Sequence, residues 1–162
     1  MKQLLTTLFT LLLLSACSSK PVLPTAGVDL KLKPSQVTIS AKPLDGTRVL
    51  WGGVIINATN LTEKTRLEVL AYPLNDKQRP QTDKAAGSRF LAYQQGYLET
   101  ADYAAGRQVS MLGIIGKIEE ARLGEHSYVY PTIDIEQLHL WPLKSQETDT
   151  KLHFGIGVIF RN

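Results

Sequence analysis

Cys17 has the clearest chemical potential in this 162-residue chain, because it is the only cysteine. It follows a short N-terminal segment in which Lys2 precedes an apolar run from Leu8 to Leu14, and the small residues Ser15 and Ala16 come next. This order is typical of a secretory signal, and the apolar run is too short to span a bilayer. A single thiol gives an exported domain no internal disulfide, so covalent modification is the chemistry that remains for Cys17.

The sequence Leu14-Ser15-Ala16-Cys17 resembles the lipobox of bacterial lipoproteins. The resemblance implies cleavage before Cys17, a thioether-linked diacylglycerol on its sulfur and acylation of its new amine. Ser18 stands where an aspartate tends to retain lipoproteins in the inner membrane, so it implies export to the outer membrane. We therefore expect a signal peptide over 1–16, a lipid-anchored tether over 17–34 and a single domain over 35–162. Prolines interrupt the tether, which predicts a flexible coil of about 22 Å.

Other residue types that support catalysis or metal binding are present without a supporting arrangement. Asp134 and Glu136 precede His139, but strand alternation places the carboxylates and the imidazole on opposite faces unless a bulge intervenes. No serine lies in a Gly-x-Ser-x-Gly turn, and no glycine loop of the phosphate-binding kind precedes a helix. We predict no enzyme activity, no catalytic residues, no metal site and no cofactor.

The surface chemistry favours envelope partners over nucleic acid. The formal net charge is +3, and acidic residues interrupt the basic ones, so no basic face of the kind that binds nucleic acid is indicated. Two roles remain open, a structural or interaction role and the binding of a saccharide or small ligand on aromatic side chains. Tyr93, Tyr97 and Trp141 are the candidate ligand-binding residues.

Strand-like patterns fill most of the chain from Gln36 onward. Alternation and β-branched content predict strands over 36–40, 47–58, 65–72, 88–94, 108–118 and 132–141. Gly52 and Gly53 would supply a bend in the second of these strands, and a slip in apolar phase predicts a bulge near Glu136 and Gln137. Thr100 is expected to cap a short helix that ends before Gly106. Residues 73–87 are polar and are expected to be a long loop, and residues 119–130 are a polar excursion between strands.

The order of these elements predicts an all-β domain with one short helix, a small five-stranded OB-like barrel. A small antiparallel β-sandwich is the alternative. Residues 151–160 alternate between apolar side chains and others, which predicts a sixth strand. That strand either docks on the barrel edge or stays exposed for a membrane or a partner's sheet.

Several blocks also resemble the Slp family of bacterial outer-membrane lipoproteins. They cover about residues 47–143 in the family's order and include Trp51 to Val54, Leu67 to Val69, Gly87 to Ala92, Gly96 to Leu98, and Tyr130-Pro131 with Leu140-Trp141. The resemblance implies anchoring in the outer membrane on its periplasmic side through lipid on Cys17. It also implies an association with starvation or stationary-phase stress, and it brings no catalytic residues.

Overall fold

The computed structural model describes residues 21–143 with the exception of residue 124. The expected signal peptide, Cys17 and the expected strand over 151–160 lie outside the described residues. The described elements in chain order are α1 (Pro34–Thr38), β1 (Arg48–Asn60), β2 (Lys64–Ala71), β3 (Arg89–Gln95), β4 (Gln108–Ile115), β5 (Glu119–Leu123), β6 (His126–Tyr130) and β7 (Thr132–Leu140).

Five of the strands form a closed barrel in the order β1-β2-β3-β7-β4, with β4 pairing back to β1. All neighbours are antiparallel except β3 and β7, which are parallel. β5 and β6 form a separate two-stranded sheet. The predicted OB-like barrel is confirmed, and the sandwich alternative is wrong because one sheet closes on itself.

A glycine in β1 and a bulge in β7 allow the strands to approach and bend as the barrel requires. A Cβ on Gly53 would lie 1.9 Å from the carbonyl oxygen of Leu70, so β1 and β2 approach each other there in a way that only glycine allows. In β7, Ile135 pairs with Gly113 and Gln137 pairs with Leu112, which leaves Glu136 as an extra residue. The predicted bulge near Glu136 is therefore confirmed, and it bends β7 around the barrel.

The barrel core is apolar, and short segments outside the strands contribute to it. Phe90, Ile55 and Met111 are among its fully buried side chains. Val37 of α1 belongs to this core, and α1 lies against β3. Leu98, whose carbonyl accepts a hydrogen bond from Asn60 at the end of β1, packs against the same core.

The only helix among the described residues is not where the sequence analysis expected one. Residues 36–40 were expected to be a strand, but α1 occupies most of that range. Pro34 takes the first helical position, where its missing N–H costs nothing, and the Lys33 backbone N–H donates to Gln36 Oε1 at 2.8 Å. Five residues are too few for periodicity to separate a strand from a helix.

The helix expected after Thr100 is a turn instead. The backbone N–H of Tyr103 donates to the Glu99 carbonyl at 3.2 Å, and no further helical turn follows. Glu99, and not Thr100, supplies the side-chain acceptor, which receives the Ala101 N–H at 3.3 Å. Gly106 does adopt the expected left-handed conformation, with φ of 88°.

Residues 21–34, expected to be part of a flexible tether, pack against the outside of the barrel instead. Leu23 is buried with Leu50 of β1 and Leu112 of β4 in a small apolar cluster outside the main core. Asp29 forms a parallel bridge with Val49 of β1. We call residues 21–34 the strap. Within the described part of the chain, no helix is long and apolar enough to cross a membrane.

Candidate functional site

One glutamine holds the start of the strap. Gln78, in the loop between β2 and β3, accepts the Leu23 N–H on its Oε1 at 2.7 Å and donates its Nε2 to the Leu23 carbonyl at 2.9 Å. Gln78 is only 5% exposed, and its backbone is left-handed with φ of 65°. The buried Gln78 amide hydrogen-bonds both backbone groups of Leu23, as a neighbouring strand would. We call these two hydrogen bonds the latch.

The latch is joined to the barrel wall by further buried polar contacts. The Ser110 hydroxyl of β4 donates to the Gln78 carbonyl, and the Trp141 indole Nε1 donates to Ser110 Oγ at 2.9 Å. Arg79, next to Gln78, donates to Gln108 Oε1 at 2.8 Å and lies over the Trp141 ring. The loop between β2 and β3 is thereby fixed at the ends of β4 and β7.

Backbone and side-chain contacts hold the rest of the strap. The Asp29 N–H donates to the Arg48 carbonyl at 2.8 Å, and the Arg48 guanidinium donates to the Ala26 carbonyl at 3.2 Å. Further along, the Trp51 indole Nε1 donates to the Leu32 carbonyl at 2.7 Å. The strap is therefore attached at its start, middle and end.

The strap and the loop between β2 and β3 are the two walls of a cleft of about 920 Å³. The bend of β1 at Leu50, Trp51 and Gly52 forms its floor. This volume lies within the range of pockets that enclose small molecules. We take this cleft as the candidate functional site.

The cleft is mainly apolar inside and carries Lys31 and Lys33 at the strap and Asp76 at the loop. Leu30 lines it with 57% of its surface exposed. Exposed Lys31 and Lys33 flank Leu32 on the same wall. Ser88 lines the opposite wall, and its Oγ is shielded from solvent without a hydrogen-bond partner among the described residues. This arrangement suits an elongated apolar group with a polar end.

The three aromatic residues expected to bind a ligand do not form one surface. Tyr93 of β3 pairs with Asp134 of β7, and Trp141 lies just beyond the end of β7, seven residues after Asp134, a chain length of at most about 23 Å. Trp141 is buried beneath Arg79 and beside His139. Tyr97 is 68% exposed in the loop after β3, where its hydroxyl donates to Glu99 at 3.2 Å.

A hairpin of this chain covers the outer face of β3. Leu91 and Tyr93 point away from the core but are buried, because they pack with Tyr130 of β6. Tyr130 and Arg89 both hydrogen-bond Glu68 of β2, at 3.0 and 2.7 Å. Residues 119–130, a polar excursion in the sequence, form this β5–β6 hairpin. In OB folds the face of strands 2 and 3 is the usual ligand surface, and here the chain itself occupies it.

The covered face also changes the acidity of Tyr93. Burial raises the pKa of its hydroxyl to about 12, and the hydrogen bond that it donates to Glu119 at 2.8 Å adds to the shift. The Lys64 ammonium lies 3.8 Å from the centre of the same ring. Tyr93 is therefore a packing and hydrogen-bonding residue of the hairpin interface and has no free ring face for a sugar.

Two further candidates from the sequence are the lipidation residue and a metal site. Cys17 lies outside the described residues. Among residues 21–123 and 125–143, no three histidine, cysteine or carboxylate side chains are grouped as metal ligands. Glu136 pairs instead with Arg48 at 2.6 Å.

Sequence reasoning missed the residues that form the cleft. Leu30, Lys31 and Lys33 lie in a stretch with no periodicity, and Gln78 lies in a polar loop. The signals that were available were the apolar residues scattered through the strap and the length of the loop over 73–87, since long loops often carry function.

The sequence is similar to one protein family and to two curated proteins. The sequence pattern of the Outer membrane lipoprotein Slp family matches residues 14–157. An uncharacterized protein of Haemophilus influenzae is 25% identical over 116 residues, which cover 71% of this chain and 60% of that protein. The uncharacterized lipoprotein YeaY of Escherichia coli is 27% identical over 101 residues, which cover 62% of this chain and 52% of YeaY. The matched region thus spans between half and three fifths of these relatives.

Two solved structures are distantly similar. The small single-stranded DNA-binding protein of Streptomyces coelicolor is 17% identical with a TM-score of 0.34, over 59% of this chain and 94% of that one. The mitochondrial single-stranded DNA-binding protein Rim1 of S. cerevisiae is 12% identical with a TM-score of 0.38, over 59% and 95%. The fold assignment rests on the strand order of this chain.

Proposed function

The chain belongs to the Outer membrane lipoprotein Slp family, and on this premise we propose that Cys17 carries its lipid and that the mature protein has a structural or interaction role in the envelope. It is an outer-membrane lipoprotein, and we propose that its barrel faces the periplasm. We also propose that it is not an enzyme, because the sequence offers no set of nucleophile, base and orienting group.

The packing of the strap supports this role most directly. Only residues 18–20 separate Cys17 from Pro21, where the described strap begins. Four residues span at most about 14 Å when fully extended. A lipid on Cys17 would therefore hold the barrel at the membrane surface, with the strap as a rigid mount. A protein mounted in this way is suited to contact membrane components and neighbouring envelope proteins.

The anchor is strong enough for permanent attachment. One acyl chain binds a membrane only marginally, whereas a second chain makes the attachment stable. The three chains implied for Cys17 exceed that requirement. The barrel needs no apolar membrane-binding face of its own.

The anchor is tested by labelling cells with radioactive palmitate and fractionating their membranes. We expect label in the wild-type protein and in the matched control Ser19→Ala, and no label in Cys17→Ser. The labelled protein should be found with the outer membrane and become protease-accessible only when that membrane is permeabilised. An unmodified N-terminus in the mature wild-type protein would overturn the proposal.

The interaction role is tested by crosslinking in intact cells through the exposed lysines of the barrel. We expect the wild-type protein to be recovered with at least one envelope protein, and the Cys17→Ser protein to lose that product because it leaves the membrane. Crosslinking that recovers no envelope component contradicts the role. A link to starvation predicts higher protein abundance in stationary phase than in exponential growth.

The cleft favours a second candidate function, the binding of a small ligand. Its volume of about 920 Å³ and its apolar floor are properties of ligand sites. The ligand would then occupy the space between the strap and the loop over 73–87, away from Tyr93 and Trp141.

A further inference from the structure

We propose that the cleft binds a free amphiphile with a single acyl chain and an anionic head group, released from the adjacent membrane. The inference deepens the ligand-binding candidate, and it rests on the proposed anchor only for the position of the cleft beside the lipid. The acyl chain would lie along Leu30, Leu50 and Leu74, with Lys31 and Lys33 at the head group.

The lining of the cleft points to an acyl chain. Leu30 remains 57% exposed although it borders a cavity, and Leu50 and Leu74 line the same space. Apolar side chains that face an open cleft gain stability when an apolar ligand excludes water from them.

The position of the cleft supplies the source of the ligand. Pro21 and Thr25 lie on its lining, and Pro21 is four residues from Cys17. Chain geometry therefore keeps the lining at Pro21 within about 14 Å of the lipid-bearing residue. A cleft so close to a bilayer meets membrane amphiphiles at high local concentration.

The charges favour a free amphiphile over the protein's own lipid. Lys31 and Lys33 are exposed on the strap wall, where they would pair with a carboxylate or phosphate. The thioether-linked and amide-linked chains implied for Cys17 carry no anion.

The test is a calorimetric titration of the full mature chain carrying Cys17→Ser, so that no attached acyl chain competes. The probes are laurate and dodecyl phosphate below their micelle concentrations, with decanoate and dodecanol for comparison. We expect one saturable site for both anions. Each methylene should tighten binding about fourfold, so laurate should bind about fifteenfold more tightly than decanoate.

Matched variants locate the site. Leu30→Asp places a charge in the apolar cleft and should weaken laurate binding at least tenfold. Leu61→Asp makes the same change at a 41% exposed leucine in the turn between β1 and β2, and it should leave binding unchanged. Replacing Lys31 and Lys33 by alanine should weaken binding of the anions about two- to tenfold without affecting dodecanol. The control replaces Lys42 and Lys117, which are exposed and lie outside the cleft.

Several results would overturn the inference. They are the absence of saturable binding, equal weakening by Leu30→Asp and Leu61→Asp, or binding of dodecanol as tight as that of laurate. Binding that appears only when residues 144–162 are removed would identify the chain's own C-terminal segment as the occupant. Binding to the Cys17→Ser chain but not to the lipidated protein would identify the attached acyl chain. Because the titrated chain carries no lipid, its outcome is independent of the palmitate labelling.

Discussion

Replacing Gln78 by alanine should release the strap while leaving the barrel folded. The Gln78 amide makes two hydrogen bonds to the backbone of Leu23, at 2.7 and 2.9 Å, and alanine makes neither. The left-handed backbone at this position costs alanine and glutamine about the same, because both carry a Cβ. The substitution therefore removes the latch without changing the strain.

The expected effect follows from those two bonds. A hydrogen bond contributes a net of about 1 kcal/mol, so strap opening should become easier by about 2 kcal/mol, or about 30-fold in its equilibrium constant. The barrel core does not include Leu23, which belongs to the small outer cluster. Strap opening and global unfolding both break the latch, so both should become easier by the same amount.

Amide hydrogen exchange measures strap opening directly. The readout is the Asp29 N–H, which donates to the Arg48 carbonyl at 2.8 Å and does not touch Gln78. Its exchange should accelerate about 30-fold in Gln78→Ala, given the magnitude above. The Asp29 amide should exchange at a lower opening free energy than the Val69 amide of β2 in both proteins, because the strap opens without the barrel. The control Gln95→Ala, an exposed glutamine at the end of β3, should change neither amide.

Two outcomes would refute this reasoning. If Asp29 keeps its wild-type protection in Gln78→Ala, the strap is held by its apolar contacts and the latch contributes nothing. If Asp29 and Val69 exchange at the same opening free energy, the strap and the barrel unfold as one unit. The strap would then be part of the barrel's cooperative fold and not a separable mount.

Two further predictions concern the barrel. Gly53→Ala should lower the free energy of unfolding by more than about 3 kcal/mol in urea denaturation, because its Cβ would lie 1.9 Å from the Leu70 carbonyl oxygen. Gly87→Ala, whose Cβ would be 3.5 Å from its nearest neighbour, should stay near wild-type stability, and an equal loss in both would contradict the close-approach argument. The folded-state pKa of Tyr93, about 12, lies above the unfolded value of about 10, so its contribution to stability should be complete below pH 10 and be lost between pH 10 and 12. Tyr93→Phe should flatten that part of the stability profile, and an unchanged slope would show that the hydroxyl ionises equally in both states.

Much of the barrel could be predicted because its signals are local. Alternation along β2 places Leu67 and Val69 in the core, and paired glycines in β1 lie where two strands meet most closely. The change of apolar phase in β7 marked the bulge at Glu136 before its partners were known. In each case the side chain's environment is set by its neighbours in sequence, since strand geometry fixes which face a residue occupies.

The site could not be predicted because its contacts are distant in sequence. Gln78 and Leu23 are 55 residues apart, and neither lies in a periodic segment. The fate of Tyr93 depended on the β5–β6 hairpin, whose polar strands gave no apolar pattern to follow.

The sequence by itself determined the barrel strands and the family, because periodicity, glycines and ordered blocks are written along the chain. Only the tertiary structure decided that the strap is docked, that the outer face of β3 is covered and that a cleft opens between the strap and the loop over 73–87. These three features depend on which surfaces come into contact after the barrel closes. The apolar area that is buried there belongs to two segments together, so neither segment's sequence predicts it alone. Leu30 shows the difference, since in sequence it is one leucine among prolines and lysines and in the fold it lines the cleft.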